Sequence, residues 1–206
     1  AGPVLLRRRL DDDASVVKLY LCSFAYGGVV PEVMDSLMRE MGLGPIRGVE
    51  ILYDRAEDAL ISRARSVALS RFYERTDADV AFFLDRDVSF DGGNILGTCE
   101  RALDVEACVG GLYSVRQRAF GVSSRIRIDR FVPGEDRMYP AEMLATGFLA
   151  IPRSAVAKIL EVHGRDEAPA ELRVQRFRAD DGSIAHDFFR PVCVPAAPRV
   201  PVFEPG

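Results

Sequence analysis

Hydrophobic residues in the first half of the chain follow two alternating patterns, continuous apolar runs and runs with helical spacing. The continuous runs predict strands at 16–25, 49–53, 80–84 and 107–113. Helical spacing predicts helices between these strands that begin near Pro31, near Ala59 and near Ile95. This alternation is typical of an α/β domain with a mostly parallel central sheet flanked by helices.

Two of the predicted helices carry an apolar face that we expect to pack on the sheet. The first has Pro31 in its first turn, followed at helical spacing by Val33, Met34, Leu37, Met38 and Met41. The second has on one side Leu60, Ile61, Ala64, Ala68 and Phe72.

The second half of the chain is less regular. Residues 125–131 alternate as a half-exposed strand does, and residues 143–151 are again apolar. Ser154 is expected to cap a helix that runs to Leu160. We find no internal repeat, and we expect residues 1–206 to form a single α/β domain.

The composition is that of a globular protein, with 48% hydrophobic and 28% charged residues among 206. Lys and Arg number 27 against 31 Asp and Glu, and the net charge of −4 argues against a broad nucleic-acid-binding surface. No apolar run approaches the ~20 residues that span a membrane, and no secretory signal is recognisable, so we expect a cytoplasmic protein. The four cysteines form no CxxC pair, which favours reduced thiols over zinc or disulfides.

Polar residues cluster where each of the first three predicted strands ends. Residues 23–28 follow the first strand, Asp54 and Arg55 the second, and residues 85–87 the third. In parallel sheets, ligands bind at the carboxyl ends of the strands. The three clusters therefore predict a binding site at this edge.

The sharpest of these clusters is Asp85-Arg86-Asp87. Two carboxylates one residue apart, directly after a buried strand, can both turn toward one divalent cation. Hard oxygen ligands of this kind suit Mg²⁺ or Mn²⁺, which take one or two protein carboxylates together with phosphate oxygens.

Other residues are candidates for parts of the same site. Arg63 and Arg65 diverge on the first turns of the second helix, so one of them can point toward the strand ends and bind a phosphate. Gly147, within an apolar strand, indicates tight packing, a bulge or a close approach by a ligand. His186 is a candidate base or further metal ligand.

Several strings, taken in order, resemble GT-A-fold glycosyltransferases, most closely the small family-2-like enzymes of viruses, phages and bacteria. They are the Tyr26-Gly27-Gly28 turn, the helix string at 58–66 (DALISRARS), the strand string at 82–90 (FFLDRDVSF), Gly110-Gly111-Leu112-Tyr113 and Thr146-Gly147-Phe148. The resemblance covers residues 16–160. It implies a nucleotide-binding half at about 16–114 and an acceptor half at about 115–206.

The resemblance also implies ligands and roles. A nucleotide-sugar donor of the UDP or GDP type would be bridged through Mn²⁺ or Mg²⁺ to Asp85 and Asp87, with a glycan or other hydroxyl as acceptor and inversion as the outcome. Residues implied around the nucleotide are Ser23, Tyr26, Asp54, Arg55, Arg63 and Arg86. Arg86 stands where the family has a small residue or a second acid, which leaves the choice of donor open.

The family's general base lies in an acidic motif that follows the TGF strand. Its nearest match here is Ala185-His186-Asp187-Phe188, which would make Asp187 the base. The alternative alignment places the motif beyond Gly206. Both assignments stay open at the level of sequence.

Three other functions fit part of the pattern. A HAD-type phosphotransferase would use Asp85 as a nucleophile and Asp87 as an acid/base, with Lys158 and Asp180-Asp181 as later motifs, although a long βαβ pattern precedes the motif. A GT-A domain that binds sugar nucleotides or glycans without transfer would explain the absence of a clear base motif. A nucleotidyltransferase would also hold a diphosphate through a metal-bound acid.

Overall fold

The structure, a computed structural model, describes residues 16–25, 27–113, 124–126 and 138–189. The helices are α1 (Pro31–Leu43), α2 (Ile61–Arg75), α3 (Asn94–Val105) and α4 (Arg153–His163), with a 3₁₀ turn at Pro45–Arg47. The strands are β1 (Val17–Phe24), β2 (Val49–Ala56), β3 (Val80–Asp85), β4 (Val109–Gly110), β5 (Arg125–Ile126), β6 (Ala141–Met143), β7 (Phe148–Pro152), β8 (Arg176–Arg178) and β9 (Ile184–His186).

A five-stranded sheet forms the centre of the fold, in the order β2-β1-β3-β7-β4. β1 pairs in parallel with both β2 and β3, and β7 runs antiparallel to β3 and β4. The predicted α/β class with a mostly parallel sheet is therefore confirmed, and the β1–α1–β2–α2–β3 succession is Rossmann-like. β5 pairs with β6, and β8 with β9, in two small antiparallel sheets.

Helices cover both faces of the sheet because its central strands are apolar on both sides. On one face α1 and α3 pack against side chains such as Leu19, Leu21 and Phe82. On the other face α2 and α4 pack against the alternate positions, such as Cys22 and Phe83. Residues 80–84 are fully buried, which confirms the prediction of a strand covered on both faces.

The predicted apolar faces of the first two helices are only partly correct. Met34, Met38 and Met41 are exposed, and the buried face of α1 consists of Val33, Ser36, Leu37 and Glu40. Glu40 takes a buried position at which an apolar residue would be expected. Its carboxylate accepts hydrogen bonds from the backbone N–H groups of Gly93 and Leu96, at 2.5 and 2.6 Å, where α3 begins. These donors have no partner within their own helix.

Several predicted boundaries also shift. Leu60 precedes α2, and Ile61 lies exposed at its first turn. α4 begins at Arg153 with Pro152 in the N-cap position, so Ser154 falls inside the helix and does not cap it. The strand predicted at 107–113 is reduced to β4. β5 covers the first two residues of the strand predicted at 125–131, and residues 127–131 lie outside the described residues. None of the helices in the described ranges is both long and apolar enough to cross a bilayer.

Arg153 joins α4 to the end of α2 and to the loop before β3. Its guanidinium donates to the carbonyl oxygens of Ala78, Tyr73, Phe72 and Thr76 at 2.7 to 2.9 Å. It also lies over the Phe72 ring, 4.7 Å from the centroid. The carbonyls near a helix C-terminus carry partial negative charge, which favours a cation at this point.

We predict that Arg153→Ala lowers the free energy of unfolding by about 2–4 kcal/mol, because it leaves several carbonyls of the α2 terminus without a donor. Arg153→Lys should recover less than half of this loss, since an ammonium group cannot reproduce the planar fork. Arg165→Ala, which removes an exposed arginine just after α4, is the matched control, with a change of about 0.5 kcal/mol or less. Chemical denaturation of the four proteins measures the effect, and equal losses for Arg153→Ala and Arg165→Ala would contradict it.

Candidate active site

The acidic pair lies at the carboxyl edge of the sheet. Asp85 is the last residue of β3, and Asp87 lies in the turn that follows. The register places Phe24 beside both Ala56 of β2 and Asp85 of β3, so the ends of three parallel strands meet here. This is the edge at which the sequence predicts a site, and ligands of open α/β sheets bind at such edges.

Arg65 of α2 holds the first carboxylate. Its Nη2 donates to Asp85 Oδ1 at 2.6 Å, with 12% of the arginine side chain and 29% of the aspartate side chain exposed. The guanidinium also lies over the Phe24 ring, 5.5 Å from the centroid. Its buried Nε has no hydrogen-bond partner among the described residues. Most buried side-chain donors in proteins have a hydrogen-bond partner, so the state of this Nε is unusual.

Gly147 of the neighbouring chain segment contacts Asp85 and Tyr113. Its carbonyl accepts from Asp85 N at 2.9 Å, and its N–H donates to the Tyr113 hydroxyl at 3.2 Å. A Cβ at this position would lie 2.5 Å from the Tyr113 oxygen and 2.7 Å from Asp85 Oδ2. Glycine is therefore required here by the close approach of Asp85 and Tyr113 to the backbone.

The Tyr113 phenol resists ionisation in this setting. Burial raises its pKa above the usual 10, and the nearby charge of Asp85 raises it further. At neutral pH Tyr113 therefore adds a hydroxyl, and no second negative charge, beside Asp85.

An open cleft of about 430 Å³ lies against the strand ends. The described residues that line it are Phe24, Ala25, Ala56, Asp58, Ala59, Ile61, Asp85, Arg86 and Asp87. Of the site residues predicted from sequence, Asp85, Arg86 and Asp87 belong to this lining. Tyr26 lies outside the described residues.

Ser23 lies within β1, and Asp54 lies within β2 because that strand continues to Ala56. Ser23 is buried, with its Oγ 2.7 Å from the Tyr53 hydroxyl. Asp54 accepts a hydrogen bond from the Tyr20 hydroxyl and lies 3.6 Å from Nη1 of Arg71 on α2. Asp58, two residues beyond β2, occupies the place at the cleft that Asp54 was expected to take.

The two other predicted arginines form ion pairs near the cleft. Arg63 donates to Asp180 at 2.5 Å and lies 3.7 Å from Asp58. Arg55 pairs with Glu57. Of the diverging arginines on α2, Arg65 is the one that points to the strand ends. The sequence left open which of the two arginines does so, and the resemblance implied Arg63. It did not single out Asp58 or Tyr113 as site residues, although the strings at 58–66 and 110–113 contain them.

His186 and Asp187 lie along α2, toward its C-terminal half. His186 donates its backbone N–H to Ser70 at 2.8 Å, and its Nε2 lies 3.3 Å from Glu74 Oε1. These partners are five and nine residues beyond Arg65, or roughly 8 and 13 Å along a helix. Asp187 donates its N–H to the carbonyl of Gln175. Phe189 N–H donates to Ser66 Oγ, so the chain after Asp187 returns to the turn of α2 that carries Arg65. The roles of His186 as a metal ligand and of Asp187 as the base stay predictions.

The donor set fits a divalent cation shared with a substrate. Across the described ranges, no three His, Cys, Asp or Glu side chains converge in a way that could hold a metal ion. Asp85 and Asp87 provide two carboxylates, and Asp85 Oδ1 is already bound by Arg65. Mg²⁺ commonly completes such a set with waters and substrate phosphates, so these residues suit a cation bound together with a diphosphate.

Comparisons with known proteins add little to this geometry. No family model and no curated protein matches the chain. Among solved structures, the crystal structure of A197 from STIV is similar at 18% identity and a TM-score of 0.45, covering 91% of this chain and 100% of that one. The 4-diphosphocytidyl-2C-methyl-D-erythritol synthase of Anaerococcus prevotii is similar at 12% identity and a TM-score of 0.38, covering 77% and 82%. Similarity at this level carries no information about function.

We predict that Gly147→Ala destabilises the protein by about 1–3 kcal/mol, because the new methyl group must displace Tyr113 or Asp85. Tyr113→Phe removes the nearest atom, so the double variant should be more stable than the sum of the single effects by at least about 0.5 kcal/mol. A double-mutant cycle by chemical denaturation measures this coupling. Strict additivity would show that the two residues are not in contact.

We predict that the free energy of unfolding falls as the pH rises above about 10, in part because of Tyr20. Burial raises the pKa of its phenol, and so do the hydrogen bond to Asp54 and the charge of that carboxylate, so at this pH Tyr20 keeps its proton when folded and loses it when unfolded. The contribution of Tyr20 to the free energy of unfolding is fully present below the pKa of the phenol in the unfolded chain. It is lost progressively as the pH rises above that value. Tyr20→Phe should reduce the loss of stability between pH 8 and pH 11 by about 1.4 kcal/mol in total, measured by denaturant titrations across that range. Equal slopes in both proteins would refute this assignment.

Proposed function

We propose that the protein is a metal-dependent glycosyltransferase that moves a sugar from a nucleoside-diphosphate sugar to an acceptor hydroxyl. The supporting observation is the position of Asp85 and Asp87, at the carboxyl end of β3 and in the wall of a cleft formed by the ends of three parallel strands. The order of sequence motifs that resembles GT-A enzymes is consistent with this position.

The charges of the cleft support a ligand that arrives with a cation. Asp58, Asp85 and Asp87 line it, against Arg86 alone among basic residues of the described lining. A diphosphate would be repelled by these carboxylates unless a positive charge accompanied it. Bound Mn²⁺ or Mg²⁺ supplies that charge and stabilises the departing nucleoside diphosphate.

The protein's own residues orient the carboxylates and the phosphates. Arg65 fixes one oxygen of Asp85, so that the carboxylate does not rotate freely. Arg63, which lies 3.7 Å from Asp58 in the cleft lining, provides guanidinium donors suited to phosphate oxygens. Tyr113 presents a neutral hydroxyl beside the same carboxylate.

The surroundings of Asp85 do not favour a phosphotransferase of the HAD type. Such an enzyme needs a carboxylate oxygen of the first aspartate directed at phosphorus. Here the guanidinium of Arg65 bound to Oδ1 makes the carboxylate a weaker nucleophile. Cation binding needs only a free lone pair, and a carboxylate that accepts one hydrogen bond keeps others.

We expect one of UDP, GDP, CDP and dTDP to bind in the presence of Mn²⁺ and to bind at least about tenfold more weakly with EDTA, measured by isothermal titration calorimetry. Asp87→Ala should reproduce the effect of EDTA, because it removes a carboxylate that holds the cation. Asp104→Ala, which removes an exposed acid at the far end of α3, is the matched control and should bind as the wild type does.

Two results would contradict the proposal. One is that the folded protein binds none of the four diphosphates. The other is that a diphosphate binds with the same affinity in Mn²⁺, in EDTA and in Asp87→Ala.

A further inference from the structure

A second and larger cavity, of about 900 Å³, lies between α1 and α3. We call it the α1–α3 groove. Residues 85–87 line the cleft described above, and the residues that follow, 88–91, line this groove. The acidic pair is therefore at the junction of the two cavities.

The two long walls of the groove are formed by matching helical stripes. In each helix the lining positions recur at i, i+3, i+4 and i+7, which is one face of an α-helix. The stripes consist of Glu32, Asp35, Ser36 and Arg39 in α1 and of Asn94, Gly97, Thr98 and Arg101 in α3. The apolar residues of α3 point the other way, into the core. Because the facing stripes carry no large apolar side chain, hydrophobic burial does not close the groove.

Gly97 is the feature of the groove that packing does not explain. It lies within α3, where glycine is destabilising relative to alanine. A Cβ added there would have no atom within 4 Å, so neither a neighbour nor a positive φ requires glycine. The bare helix backbone instead faces open space in the groove. Such a position lets a ligand approach the backbone closely.

One end of the groove is aromatic and adjoins the acidic pair. Phe90, Tyr113 and Phe148 line this end. The Tyr113 hydroxyl accepts from Gly147 N, and Gly147 O accepts from Asp85 N, so two hydrogen bonds connect the groove with Asp85.

We infer that the α1–α3 groove binds a neutral saccharide. Its walls carry both signs of charge, with Glu32, Asp35 and Asp91 against Arg39 and Arg101, so a polyanion or a polycation would meet like charges. Carboxylate, guanidinium, amide and hydroxyl groups together pair with the hydroxyls of a sugar, and the aromatic rings suit its C–H faces.

The role of this saccharide rests on the proposed function. If the cleft holds a nucleotide-sugar donor, a saccharide in the groove lies against residues 88–91 and Tyr113, beside the carboxylates that hold the cation. It is then the acceptor of the transfer. Binding of the saccharide itself does not require a donor, so the two proposals can be tested separately.

The test compares the full chain with two variants of α3 on an array of neutral, sulfated and amino-bearing oligosaccharides, with calorimetry on the best neutral binder. Gly97→Gln places a long side chain in the groove and should weaken saccharide binding at least about tenfold. Because glutamine favours helix more than glycine does, the melting temperature should not fall. Asp104→Gln places the same side chain on an exposed position of α3 and should bind as the wild type does.

Three results would overturn the inference. They are that no neutral oligosaccharide binds, that only charged ones bind, or that Gly97→Gln binds them as the wild type does. Nucleoside diphosphates, titrated into the same proteins, distinguish the two proposals. Saccharide binding that is lost in Gly97→Gln, in a protein that binds no diphosphate with Mn²⁺, would support the groove and refute the transferase.

Discussion

The ion pair between Arg65 and Asp85 is the interaction on which the candidate site depends. Asp85 ends a fully buried strand, and a carboxylate at such a position needs a partner for its charge. α2 supplies that partner through Arg65, while Gly147 and Tyr113 limit the space around the other carboxylate oxygen. The first carboxylate of the acidic pair is thus held in one orientation, and the following turn presents Asp87 at the edge of the sheet.

The arrangement of the sheet explains why two cavities meet at this pair. β3 is central, with parallel β1 on one side and antiparallel β7 on the other. The parallel side opens to the cleft at the ends of β1 and β2, and the segment after β3 passes to the face covered by α1 and α3. A donor in the cleft and an acceptor in the groove would approach the same short segment from different directions. This is the geometry that transfer between two substrates requires.

Much of the fold, and the centre of the site, could be predicted from sequence because they depend on local patterns. The buried run at 80–84 and the acids after it have one plausible position in an α/β sheet. The rest depends on contacts distant in sequence. Glu40 is buried because α3 begins beside it. Asp54 contacts Tyr20 and Arg71 because β2 runs three residues further than its hydrophobic run suggests. His186 pairs with Glu74 because β9 packs along α2, which the polar string around it did not reveal.

The most direct test of the central claim is electron paramagnetic resonance of Mn²⁺ titrated with the protein, with and without a nucleoside diphosphate. If Asp85 and Asp87 hold a cation together with a diphosphate, the free-ion signal should fall most strongly when protein and one diphosphate are both present. Asp87→Ala should leave the signal at the level given by the nucleotide alone. A signal that the wild-type protein does not change, with any of UDP, GDP, CDP and dTDP, would contradict the account.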